Sequence, residues 1–179
     1  MGLSEKKMKE IENKAEDLFK RINYDYNDKE AIDVIHIAKQ LGFQVGIALL
    51  DKDEDGFIIV QEGEEEILGI KTDKLIGVNA DRELKWKRFI IAHELAHFIL
   101  HCNESIYAHR DHRKGKNSTE NEADYFAANI LMPKSKFKKA YNELGKIEYN
   151  KNVKVSLLSE MFIVTEKMIQ RRIEELGLE

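Results

Sequence analysis

Cysteine and proline each occur once in this 179-residue chain, and glycine only 10 times. A lone Cys102 excludes an internal disulfide, and nothing beside it has the paired spacing of a zinc finger or a redox dithiol. The chain therefore suits a reducing compartment. Scarce proline and glycine, with 42% hydrophobic and 35% charged residues, exclude collagen-like and low-complexity classes and point to a helix-rich globular protein. Long apolar runs are also missing. Met1 to Lys20 is charged every few residues, which excludes a signal peptide or membrane span there. Lys6 stands where a myristoylation signal beginning at Gly2 needs Ser or Thr. A cytoplasmic protein without membrane association is expected.

A net positive charge is lacking too. The formal charge is -4 and the isoelectric point about 5.9, so attraction to a phosphate backbone is not expected to dominate. One local exception is the lysine-rich stretch Lys134, Lys136, Lys138, Lys139, Lys146, Lys151 and Lys154, opposed only by Glu143 and Glu148. Such runs are usually a solvated helical face. The length suits one ordinary domain with its own core.

Apolar residues at Met8, Ile11, Ala15, Leu18, Phe19 and Ile22 recur every three or four positions and predict an amphipathic helix over Ser4–Ile22. Asp28 is a candidate N-cap for a second helix from Lys29 to Leu41, closed by Gly42. His36, alone among Ile32, Ile35 and Ile37, reads as a surface or satisfied core residue. The pattern then changes to short β-rich runs at Val45–Leu50, Phe57–Val60, Ile67–Ile70 and Leu75–Asn79. Asp55-Gly56 is a strong turn dipeptide and is expected to join the first two as a hairpin, while Thr72-Asp73 precedes the last. Glu62, Glu64, Glu65 and Glu66 read as a solvated loop. Helices are expected from Arg82 to Cys102 and, after a polar loop, from Ser118 to Met132, where Pro133 stops the second. Two or three more fill Lys134 to Leu178. The fold class is thus α+β, mostly helical, with a small sheet of three or four strands beside the helix that carries the chemistry.

That helix contains His93-Glu94-Leu95-Ala96-His97 among the apolar Phe89, Ile90, Phe98 and Ile99. Histidines at i and i+4 share one helical face, so their ring nitrogens can converge on one cation. Glu94 adjoins the first ligand and can take a proton from the attacking water, which makes it the candidate general base. The five-residue motif also arises by chance on exposed helices; here it is set in an apolar one. A catalytic zinc needs a third protein ligand. A metzincin would supply a glycine and a histidine at the positions that hold Leu100 and Asn103, which excludes that branch. His101 is one further turn along, but three successive i+4 residues drift around a straight helix; it reads as lining the cleft.

Glu120 is the better candidate. Ala123 and Ala127 give its helix a small-residue face that can approach the His93 helix closely, and Glu120 shares that face, whereas Glu122 is rotated away. Asp124, one turn beyond Glu120, is placed to accept the outward N–H of a ligand histidine and so fix its tautomer. No donor for the oxyanion stands out; Tyr107, His109 and His112 on the intervening loop are the candidates.

Three blocks, Ile76-Gly77-Val78-Asn79, then Lys87 through His101, then Glu120 through Pro133, together resemble the ImmA/IrrE family of metallopeptidases. The resemblance implies that His93, His97 and Glu120 bind Zn2+, that Glu94 is the catalytic base, and that Asp124 occupies the family's Asp/Asn position. It further implies a narrow substrate, typically a helix-turn-helix transcriptional repressor encoded beside the peptidase. Val155 to Leu178 resembles the helical ending common in the family and reads like a helix-turn-helix. The expected organisation is a metallopeptidase domain over 1–145 and a helical extension over 146–179 packed on it. Lys167, Arg171 and Arg172 on the last helix are offset by Glu166, Glu174 and Glu175, so direct nucleic-acid binding is not expected. The alternative reading is a regulatory module that holds a repressor or DNA without cutting it.

Overall fold

In a computed structural model the chain is described over residues 2–27, 31–67, 69–102, 107–112, 117–147 and 149–178, with side chains at 110–112 excepted. Helix α1 (Glu5–Arg21) begins where the Ser4 hydroxyl accepts from the Lys7 amide, and it buries Ile11, Ala15, Leu18 and Phe19. Ser4 thereby satisfies one of the orphan donors of the first turn. Helix α2 is shorter than expected, Val34–Gln40, because the Asp33 carboxylate is the cap, accepting from the His36 amide at 2.9 Å. Asp28 and Lys29, the expected cap and first residue, lie outside the described residues. His36 is exposed.

The strands β1 (Gln44–Ala48), β2 (Glu54–Ile67), β3 (Ile70–Asn79) and β4 (Tyr107–His112) form one mixed sheet in the order β1-β3-β2-β4. β1 runs parallel to β3, and β2 is antiparallel to both β3 and β4. The expected hairpin between the first two strands is therefore absent. Asp55 and Gly56 lie inside β2, with Gly56 paired to Val78 and Asp111. The glycine serves close packing rather than a turn: a Cβ there would sit 2.5 Å from Ile90 Cγ2 and 2.8 Å from the Gly77 carbonyl oxygen. Asp55 is 1% exposed and accepts from Arg82 Nε and Trp86 Nε1, holding the strand to the start of the next helix. Gly56→Ala is expected to destabilise the fold by about 1–3 kcal/mol through overpacking, read as a lower urea midpoint at unchanged m-value.

β2 passes into β3 between Ile67 and Ile70, which pair with each other and near which Gly69 has φ +77°, so the expected strand Ile67–Ile70 is split between two antiparallel strands. Thr72 and Asp73 lie within β3. Glu62, Glu64, Glu65 and Glu66 are exposed on the far half of β2, around a register shift between Val60 and Glu65. β4 is a strand where a loop was expected.

Helix α3 (Leu84–His101) is apolar on nearly all sides and buries Ile90 through His97, the pattern of a helix enclosed on all sides. It packs on the sheet and against α4 (Ser118–Leu131). After Pro133 come α5 (Lys134–Gly145), α6 (Lys151–Phe162) and α7 (Glu166–Glu175). Val155, Leu158, Phe162, Ile169 and Ile173 of α6 and α7 share one core cluster with Ile90 and Phe126. Polar ties reinforce it. Lys85 Nζ donates to Ser159 Oγ at 2.9 Å, and Arg172, 1% exposed, donates to Asn129 Oδ1 and the Met132 carbonyl. A buried guanidinium is stable only with such partners. Among the described residues no helix is long and apolar enough to cross a membrane.

Candidate metal centre

One turn of α3 separates His93 from His97, and the helix points both rings the same way, bringing their Nε2 atoms within 3.0 Å of each other. Glu120 reaches this point from the first turn of α4, whose N-terminus is set by Asn117 accepting from the Glu120 amide at 2.9 Å. Its Oε2 lies 3.1 Å from His93 Nε2 and its Oε1 3.5 Å from His97 Nε2. Ala123 and Ala127 on α4 are fully buried, which lets the two helices come close enough for a short carboxylate to span the gap. Among the described residues, His93, His97 and Glu120 are the group able to hold a metal ion, with one ligand atom each and all three within 4.8 Å of one another.

The surroundings favour the protonation states a cation needs. Burial is the main cause that lowers the His97 pKa to about 4, so the ring is neutral near pH 7. Burial alone would raise the Glu120 pKa, but hydrogen bonds from His109, His93 and His97 outweigh it and hold the carboxyl well below the usual range. Neutral imidazole beside ionised carboxylate is the state a metal requires without displacing protons. Two imidazole nitrogens and one carboxylate oxygen form a donor set suited to zinc.

Glu94, beside His93 on α3, is 0% exposed. Asp124 lies on the other side of His93, its Oδ1 3.2 Å from Nδ1, and its Oδ2 accepts from Arg171 Nη1 at 3.3 Å. Glu122 is turned away toward Ser118 and Lys7. His101 is not in the ligand group; its ring stands 5.6 Å from that of His97, centroid to centroid.

The sheet contributes what the helices lack. His109 on β4 stacks on His97 with centroids 3.7 Å apart, with Nδ1 3.4 Å from Glu94 Oε2 and Nε2 3.4 Å from Glu120 Oε1. Burial works to lower its pKa, but the hydrogen bonds to Glu120 and Glu94 win and raise it to about 9. Tyr107, two residues earlier on the same strand, is half-buried, and burial followed by the charge of Glu94 raises its hydroxyl to about 12. The side chain of His112 lies outside the described ones. Arg171 had no sequence signal for its contact with Asp124, since forty-seven residues separate them. The strand had a faint one, the alternation of Tyr107 and His109 with Ala108.

The profile of the peptidase M78 family, described as the IrrE N-terminal-like domain, matches residues 38–174. The chain belongs to this family. The matched IrrE-like region contains β1 to β4 and the whole ligand cluster, and it extends through most of α7. Among curated protein sequences none matches the chain. A solved structure of a Mycobacterium tuberculosis transcriptional regulator superposes with a TM-score of 0.53 at 17% identity, covering 92% of this chain and 46% of that one. The fold is shared at that level, and this M78 chain spans less than half of the regulator's length.

Proposed function

We propose that this M78-family chain is a zinc-dependent endopeptidase of narrow specificity, acting in the cytoplasm on a helix-turn-helix transcriptional repressor. The observation that carries the reading is the buried Glu94 carboxylate beside the convergent His93, His97 and Glu120. His93, His97 and Glu120 would hold the ion. Zinc supplies Lewis acidity there, acidifying water and polarising the scissile carbonyl. Glu94 takes the proton of the attacking water and returns it to the leaving amine. Asp124 holds the His93 ring in the tautomer that leaves Nε2 free to bind.

The repressor as substrate rests on family resemblance. The last helix favours a protein partner over DNA, because two of its three basic residues are engaged within the chain. Arg172 is buried, and Arg171 pairs with Asp124 and Glu175. Exposed lysines on and just after α5, Lys139, Lys146 and Lys151, can help dock a folded partner.

Co-expression with the repressor encoded beside this chain's gene tests the reading. A shortened repressor is expected on a gel, with generic unfolded proteins cut poorly. An intact repressor together with lifted repression would instead identify a module that acts by holding its partner.

A further inference from the structure

We infer that His109 is a second catalytic residue of this centre, the hydrogen-bond donor to the oxyanion formed when the peptide bond is attacked; the inference rests on the peptidase reading above. β4 is an edge strand of the sheet, and its pairing with β2 sets His109 opposite Ile58 and Tyr107 opposite Val60. Ala108 is exposed while its two neighbours are partly buried, so the strand's alternation turns Tyr107 and His109 toward α3. The His109 ring is held flat against His97. Its nitrogens look one way to the base, Glu94, and the other way to the ligand, Glu120, both at 3.4 Å. These contacts are at the long end for hydrogen bonds, so an incoming substrate oxygen can displace either. His109 is not in the ligand group; it borders the cluster from the sheet side, with 23% of its side chain open to solvent.

The step balances with groups already named. The water oxygen bonds to the carbonyl carbon, its proton passes to Glu94, and the carbonyl π pair moves onto oxygen. A ring N–H of His109 hydrogen-bonds that oxygen without transferring its proton. As the carbonyl re-forms, the C–N bond breaks, its electron pair stays on nitrogen, and the nitrogen takes the proton held by Glu94. Carboxylic acid and amine result. A preorganised donor where negative charge develops, in a site largely shielded from water, commonly contributes a rate factor of about 10²–10³.

The test compares wild type with His109→Phe, which keeps a ring to stack on His97 but has no N–H, and with His109→Gln, which restores a donor. Three readouts are taken on the full chain loaded with zinc: zinc affinity by chelator competition, the dissociation constant of inorganic phosphate as a tetrahedral oxyanion, and the rate of repressor cleavage. His109→Phe is expected to hold its zinc with an affinity lowered by no more than about 10–100-fold, the usual cost of losing a hydrogen bond to a ligand, to bind phosphate at least about tenfold more weakly, and to lose about 10²–10³ in kcat with little change in KM. His109→Gln should recover part of the last two. Loss of zinc in His109→Phe would make the residue a ligand and overturn the inference. So would phosphate binding equal to wild type, no phosphate binding by wild type, or cleavage by His109→Phe at the wild-type rate. If wild type cuts no repressor, the peptidase reading fails on its own, and the phosphate comparison still decides whether His109 is an oxyanion donor.

Discussion

Glu94→Gln is expected to keep its metal and its fold and to lose cleavage by about 10²–10⁴-fold, the range that a positioned general base contributes. Glutamine matches glutamate in shape, so the closely packed space between α3 and Gly56 stays filled; a Cβ on Gly56 would already lie 3.8 Å from Glu94 Oε1. Glu94 belongs to neither the ligand group nor the contacts that hold Glu120 in place, so zinc content should stay at the wild-type value. The substitution also removes a carboxylate from a fully buried position, and stability should hold or rise. The contact with His109, at 3.4 Å, is one that the amide oxygen can still accept. Elemental analysis and cleavage kinetics on the same preparation separate the effects. Undiminished cleavage with zinc in place would assign the base elsewhere, and zinc loss would mean that Glu94 supports the ligands rather than the chemistry.

Much of this centre was legible in the chain because a helix converts spacing into direction. His93 and His97 fall on one face by periodicity alone, and Ala123 and Ala127 mark the face of α4 that can approach them. Glu120 followed from that face and not from its identity, since Glu122 is the same residue two positions on. The sheet was less legible. Asp55-Gly56 has the composition of a turn, yet Gly56 is there because Ile90 packs onto the strand; composition does not distinguish a backbone that must bend from one that must be approached. The order β1-β3-β2-β4 was equally hidden, because parallel pairing of β1 with β3 depends on the crossover through β2.

β4 was read as loop because it is a six-residue edge strand between polar segments, where period-two alternation has few positions in which to appear. The residue type alone makes His109 a candidate, but its place facing α3 follows only from the strand that carries it. Arg171 and Arg172 were weighed as a basic recognition face; their engagement with Asp124, Asn129 and Met132 is tertiary and leaves no local pattern.

Protein purified without chelator is expected to hold about one zinc ion per chain, and His93→Ala, His97→Ala or Glu120→Ala to lose it. The physical reason is the way the three groups share one point. Each histidine Nε2 lies within 3.5 Å of a Glu120 oxygen, so removing any one leaves two donors, fewer than the three a catalytic zinc takes from protein. Glu122→Ala is the matched control, since that carboxylate faces Ser118 and Lys7 and its loss should leave loading unchanged. Asp124→Ala should fall between them. It removes the carboxylate beside His93 Nδ1 but no ligand atom, and such losses commonly weaken metal affinity about 10–100-fold. Stability gives a second readout, because an ion that binds only the folded chain stabilises it by about 4 kcal/mol when present at a thousand times its dissociation constant. Wild type should therefore lose that increment on chelation, while Glu120→Ala should show the same urea midpoint with and without zinc. Full zinc retention by all three ligand variants, or a wild-type protein that neither carries nor takes up metal, would place the centre elsewhere or nowhere in this chain.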